Sequence, residues 1–165
     1  MKQLLLAISL VASISGACAQ QVRNTSTGIY SKSPRKETLY MNDISVRAIR
    51  DFEKKFGKTT DAQWYKAGEG YVVKFTNENI QYRSVYNSRG NWIYTIKYYQ
   101  EAIMPRAVRA RVKSSYYDYT ITQVEEIEQP DSPVVYIVHM YDDTTWKNVK
   151  ICDGEMEVVE DFDKG

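Results

Sequence analysis

The sequence predicts an α+β fold made of two tandem αβ4 units. Three observations carry this: two amphipathic stripes at helical spacing, four β-rich runs after each, and turn residues at the breaks between runs. The composition agrees. With 43% hydrophobic and 26% charged residues, the chain is neither disordered nor an integral helical membrane protein. Its 14 Tyr, 3 Trp and 4 Phe against 8 Gly and 4 Pro exclude linker-like and collagen-like chains. A length of 165 residues suits one domain or two tightly packed halves.

Residues 1–19 read as a signal peptide. Lys2 precedes an uncharged apolar run from Leu4 to Ile14, and Ala17 and Ala19 supply the small residues read by signal peptidase, with cleavage after Ala19. The run is shorter than the ~20 apolar residues of a spanning helix, and nothing later in the chain approaches it, so no transmembrane segment is expected. The chain is therefore expected to be exported, to a periplasmic or extracellular location. A second reading is a lipid anchor at Cys18, giving an envelope lipoprotein with a structural role; Ser15 stands where such a signal usually has Leu. Cleavage after Ala19 leaves Cys152 as the only thiol, so the mature chain is expected to have no intramolecular disulfide. Residues 20–41, with Asn, Thr, Ser, Lys and a Ser-Pro step, read as a flexible leader.

The folded domain spans residues 42–165, as repeat 1 (42–100) and repeat 2 (101–165). In the first, Val46, Ile49, Phe52 and Phe56 recur at spacings of three and four within Asn42 to Phe56, and Gly57 stops the helix. Strand-like runs follow at Ala62–Lys66, Tyr71–Thr76, Asn79–Tyr86 and Trp92–Tyr99, the last two separated by a turn ending in Gly90. In the second, Met104-Pro105 opens a helix with the stripe Met104, Val108, Val112 and Tyr116. Four more runs come at Thr120–Ile127, Val134–Met140, Thr145–Ile151 and Met156–Phe162. The halves overlay with one insertion. Gln63-Trp64 falls on Gln123-Val124, and after the Pro-rich turn at 129–133, Tyr71-Val72-Val73 falls on Val135-Tyr136-Ile137.

In this order the chain resembles the exported bacterial proteins with a PepSY-like, beta-lactamase-inhibitor-like fold. The resemblance rests on the export signal, Phe52-Glu53-Lys54-Lys55-Phe56, Ala62-Gln63-Trp64, Tyr71-Val72-Val73-Lys74-Phe75, Val85-Tyr86-Asn87, Gly90, and Met104-Pro105 with Val108. It covers residues 44–162, with Met104 in place of the usual Leu. The resemblance implies one curved antiparallel sheet formed by both units, with the helices packed on one face. It also implies binding or inhibition rather than catalysis, because the namesake inhibitor grips an enzyme with the open concave face of its sheet. No contact residue of that inhibitor maps onto a motif here.

The residues themselves also favour binding. Lys and Arg number 22 against 21 Asp and Glu, and removal of Lys2 evens them, so a nucleic-acid partner is not expected. Basic residues Arg23, Lys32, Arg35 and Lys36 lie early; Asp153, Glu155, Glu157, Glu160, Asp161 and Asp163 lie late, and both groups read as solvated surface. His139 is the only histidine, and the overlay with Phe75 puts it on the core face as a packed residue rather than a base. A small hydrolase built on it is the weaker alternative, since nothing singles out a nucleophile. Glu125 and Glu126 alternate faces of one strand and cannot form an acid/base dyad, while Asp142-Asp143 suit a hairpin turn. No catalytic residue, metal site or cofactor is expected, and the partner is expected to be another exported protein. Strand parity puts Tyr82, Ser84 and Tyr86 on the face away from the helices, level with Trp146, Asn148 and Lys150; Val85 and Val149 take the helix side. Tyr82, Tyr86, Trp146 and Lys150 are the candidate binding residues, since Tyr and Trp are enriched in binding hot spots. Parity leaves open which face carries Trp92, Tyr94, Ile96 and Tyr98.

Overall fold

The computed structural model describes residues 38–165, which fall within the unit Pro34–Gly165. The signal peptide, Cys18 and most of the leader lie outside the described residues. Eight strands form one antiparallel sheet in chain order: β1 (Gln63–Ala67), β2 (Gly70–Asn77), β3 (Ile80–Tyr86), β4 (Trp92–Tyr99), β5 (Thr120–Glu128), β6 (Val135–Tyr141), β7 (Thr145–Cys152) and β8 (Glu155–Asp163). Helix α1 (Val46–Phe56) precedes β1, and α2 (Arg106–Lys113) lies in the connection between β4 and β5. Each strand begins and ends within two residues of the sequence-based bounds. The helices are shorter: a 3-10 turn at Met41–Asp43 occupies the expected start of α1, and Pro105 stands just outside α2. Structure begins before residue 42, because the Leu39 N–H donates to the Trp64 carbonyl (2.9 Å) and Thr38 bridges Tyr65 at the edge of β1.

Both helices lie on one face of the sheet. Side chains directly opposite on antiparallel strands share a face, so the register carries one face across all eight strands. Trp64, Val73, Ser84, Thr95 and Glu128 lie on it in the first half, and Val124, Val138 and Val149 in the second. Ala48 and Phe52 of α1 pack there on Trp64, Tyr71, Val73, Phe75 and Tyr86. The Phe52 ring meets Phe75 edge-on at 5.1 Å and Trp64 at 5.5 Å. Val46, placed on the apolar stripe from sequence, is 61% exposed, and Ala48, fully buried, takes the contact instead. Val112 of α2, with Met104, packs on Tyr99, Ile121, Val124, Val138, Met140, Val149 and Ile151. Between the helices runs a polar seam. The Lys97 ammonium bonds Glu126 Oε1 (2.8 Å) and Glu128 Oε1 (2.5 Å), and the Tyr99 hydroxyl donates to Glu126 Oε2 (2.6 Å). Next to it the Ser84 and Thr95 hydroxyls are bonded at 2.6 Å, both fully buried.

The turn between β3 and β4 is moulded to α1. Gly90 has φ +78°, and a Cβ there would stand 2.5 Å from Ser45 Oγ and 2.8 Å from the Ala48 nitrogen. Asn87 Oδ1 closes the turn by accepting from the Arg89 and Asn91 N–H groups. The turn read from sequence is therefore also a packing contact for the start of the helix.

Candidate binding surface

The register corrects the face assignment in β3. Tyr82 and Tyr86 lie on the helix side: Tyr86 is fully buried with its ring 5.6 Å from Trp64, and Tyr82 stacks on Phe75 at 4.7 Å beneath Phe56. Burial pushes the Tyr86 hydroxyl up, and the Asp51 carboxylate adds to the shift. Val85 lies on the other face, clustered with Val72, Tyr94 and Ile96. Val149 does lie on the helix side, at Val138 and the α2 cluster. The overlay of the halves was one residue out beyond the Pro-rich turn. Val73 stands opposite Trp64, and Val138 opposite Val124. Val73 is therefore level with Val138, not with Ile137, and Tyr86 is level with Ile151. A slip of one residue moves every side chain to the opposite face.

The same slip misplaced His139. The residue level with Phe75 is Met140, which is fully buried under α2, and His139 lies on the helix-free face. Its Nε2 is 3.3 Å from Glu125 Oε1, and this hydrogen bond, against the effect of burial, raises the imidazole pKa. The histidine is thus held by a carboxylate; no hydroxyl or thiol is bonded to its ring among the described residues. Glu125 and Glu126 do point to opposite faces, one at His139 and the other at Lys97. Asp142 anchors the β6–β7 turn by accepting from the Thr144 and Thr145 N–H groups (2.8 and 2.6 Å), which hold its carboxyl far below the usual range. Among the described residues, no group of three or more His, Cys, Asp or Glu could hold a metal.

Trp146 and Lys150 share the helix-free face, but in different states. Lys150 is 6% exposed, and its ammonium bonds Glu157 Oε1 at 2.5 Å. Trp146 is 45% exposed, lies 4.7 Å from the Tyr141 ring, and stands opposite Phe162, which is 56% exposed. The Lys164 ammonium sits over both rings, 4.2 Å from the centre of Tyr141 and 5.0 Å from that of Trp146. Exposed Trp146 and Phe162, with the half-buried Tyr141 beside them, thus make an aromatic corner at the β6–β7–β8 end. Phe162 and Tyr141 were missed from sequence, although both follow from the parity of Trp146 once its strand partners are known. Cys152 ends β7 as read and is 4% exposed. The only other cysteine, Cys18, lies outside the described residues. Among the described residues, no helix is long and apolar enough to cross a membrane.

An eight-stranded antiparallel sheet in chain order with two helices on one face defines a BLIP-like fold. Among solved structures, the chain is similar to a BLIP-like protein from Bacteroides fragilis, with a TM-score of 0.56 and 21% identity over 73% of this chain and 89% of that one. It is similar also to a DUF2874 family protein from Bacteroides uniformis, with a TM-score of 0.58 and 12% identity over 72% and 88% of the two chains. A protein from Bacteroides eggerthii whose description ascribes it to the periplasm matches with a TM-score of 0.58 and 13% identity, over 73% and 88%. No protein-family model matches the sequence, and no curated protein matches it.

Proposed function

We propose that this chain is an exported, non-enzymatic binding module that engages another exported protein through the helix-free face of its sheet. The observation that carries the proposal is the corner of exposed Trp146 and Phe162 around half-buried Tyr141. Large aromatic side chains left in solvent on a face without helices, with charged ladders beside them, have the composition of a binding hot spot with a polar rim. The signal peptide read in residues 1–19 and the fold shared with a BLIP-like protein support export and protein binding. In this reading the element order reflects two tandem αβ4 units related to PepSY-like domains, each giving one helix to one side of a shared sheet. The binding residues are then Trp146, with Tyr141 and Phe162; Lys150, 6% exposed and paired with Glu157, lies on the same face. Tyr82 and Tyr86 belong to the core.

Affinity capture from envelope extracts of the source organism, with the wild-type chain and Trp146→Ala as parallel baits, tests this. A captured protein should bind the variant about 1–3 kcal/mol more weakly, with the fold unchanged by circular dichroism. Equal binding by both baits would move the site off this corner.

A further inference from the structure

We infer, resting on the protein-binding reading of this face, that the aromatic corner takes a lysine or arginine side chain of the partner, and that Lys164 holds its place in the free chain. The Tyr141 and Trp146 rings stand 4.7 Å apart and are inclined at 42°, which makes a wedge rather than a flat stack. The Lys164 ammonium already sits over both rings, 4.2 Å from the centre of Tyr141 and 5.0 Å from that of Trp146. Both distances fall within the ~6 Å at which a ring face attracts a cation, and Trp is the strongest ring in this role. Phe162 stands opposite Trp146 on β8 and adds a third ring to the corner.

Lys164 is set there by its own backbone. Its N–H donates to the Thr144 carbonyl at 2.7 Å, one residue beyond the last β7–β8 pair, and its ammonium donates to the Asp142 carbonyl. Among the described residues no carboxylate pairs with that ammonium. A cation held by a neutral carbonyl and two rings is exchanged more readily than one in a carboxylate pair. The surroundings favour the same class of ligand. Glu160 is exposed on the same face two residues before Phe162; one oxygen bonds Asn148, and the carboxylate keeps further capacity to accept. With Glu155, Glu157, Asp161 and Asp163 it makes the β8 edge negative, a field that draws a cationic segment in and turns an anionic one away. Aromatic rings alone would accept any apolar side chain. The seated ammonium and the negative edge together single out a cation.

The test is an NMR titration of the purified chain with three separate probes: Nα-acetyl-lysine methylamide, Nα-acetyl-arginine methylamide, and the norleucine analogue, which keeps the apolar stem without the charge. Saturable shifts of the Trp146 indole N–H and the Phe162 amide are expected with a cationic probe and not with norleucine. In Lys164→Gln the affinity should rise about threefold or more, because apparent affinity scales with the fraction of chains whose wedge is vacant. A lysine that only braced the strand end would give no such gain. Trp146→Leu, read at the Phe162 amide, should weaken binding about threefold or more, with the amide pattern unchanged away from the corner. Saturation by one cationic probe alone would assign the corner to that side chain. Norleucine binding as tightly as the cations, no saturation by any probe, or no gain in Lys164→Gln would overturn the inference. A captured partner that is lost with Trp146→Ala while norleucine matches the cations would leave the protein-binding reading standing and remove this one.

Discussion

Tyr86 and Trp146 occupy strands of similar composition and look interchangeable as aromatic residues among polar neighbours. Their surroundings differ completely: Tyr86 lies beneath α1 against Trp64, whereas almost half of Trp146 meets solvent. Removing a fully buried ring leaves a cavity that the packed sheet cannot close, at a cost of about 3–5 kcal/mol. Truncating a half-exposed ring removes few contacts and should cost no more than about 1 kcal/mol. Urea denaturation of Tyr86→Ala and Trp146→Ala should therefore separate the two variants by at least about 2 kcal/mol. Similar losses would mean that the faces of β3 and β7 are not as described. Residue type alone could not tell the two aromatics apart, because Tyr and Trp favour strands on either face. Their status depended on parity, and parity depended on the length of one turn.

That dependence shows at the scale of elements. All eight strands were legible, since period-two alternation and turn residues are local signals. The overlay sets Trp64 on Val124. It failed across the Gln129–Val134 connection, which is longer than the Gly68-Glu69 turn it replaces, and no side chain there marks which residue is the extra one. The helix-side seam was invisible for a different reason. Lys97, Glu126 and Glu128 come from strands joined by a twenty-residue connection containing α2, and only the register of β4 on β5 brings them together. The seam has a pH consequence. Burial opposes the charge on Glu126, but the hydrogen bonds from Lys97 and Tyr99 outweigh it and hold the carboxyl below its usual value of 4.5. A carboxylate with a lowered pKa stabilises the fold above its unfolded pKa, and that contribution disappears as pH falls through the folded pKa. Urea unfolding from pH 6 down to pH 3 should thus show a steeper loss for the wild type than for Glu126→Gln. Parallel curves would show that the seam does not stabilise the sheet.

Over the whole molecule, one sheet with two helices on a single side leaves a large face and two edges to be accounted for. The β1 edge is bridged by Thr38 and Leu39. The β8 edge is exposed along nearly its whole length and carries Glu155, Glu157, Glu160, Asp161 and Asp163, so the acidic end seen in the sequence becomes a charged edge strand. Charged side chains on an edge discourage pairing with a second sheet, which favours contact through the face. The helix-free face has an apolar cluster on β2–β4, a ladder formed by His139–Glu125 and Lys150–Glu157, and the aromatic corner at the far end. In the proposed function a partner covers this corner. Hydroxyl-radical footprinting of the chain, free and bound to a captured partner, measures this side chain by side chain. Protection of Trp146 and Phe162 is expected, with no change at Tyr117, which is 81% exposed beyond α2. Protection at Tyr117 with Trp146 and Phe162 still reactive would contradict it.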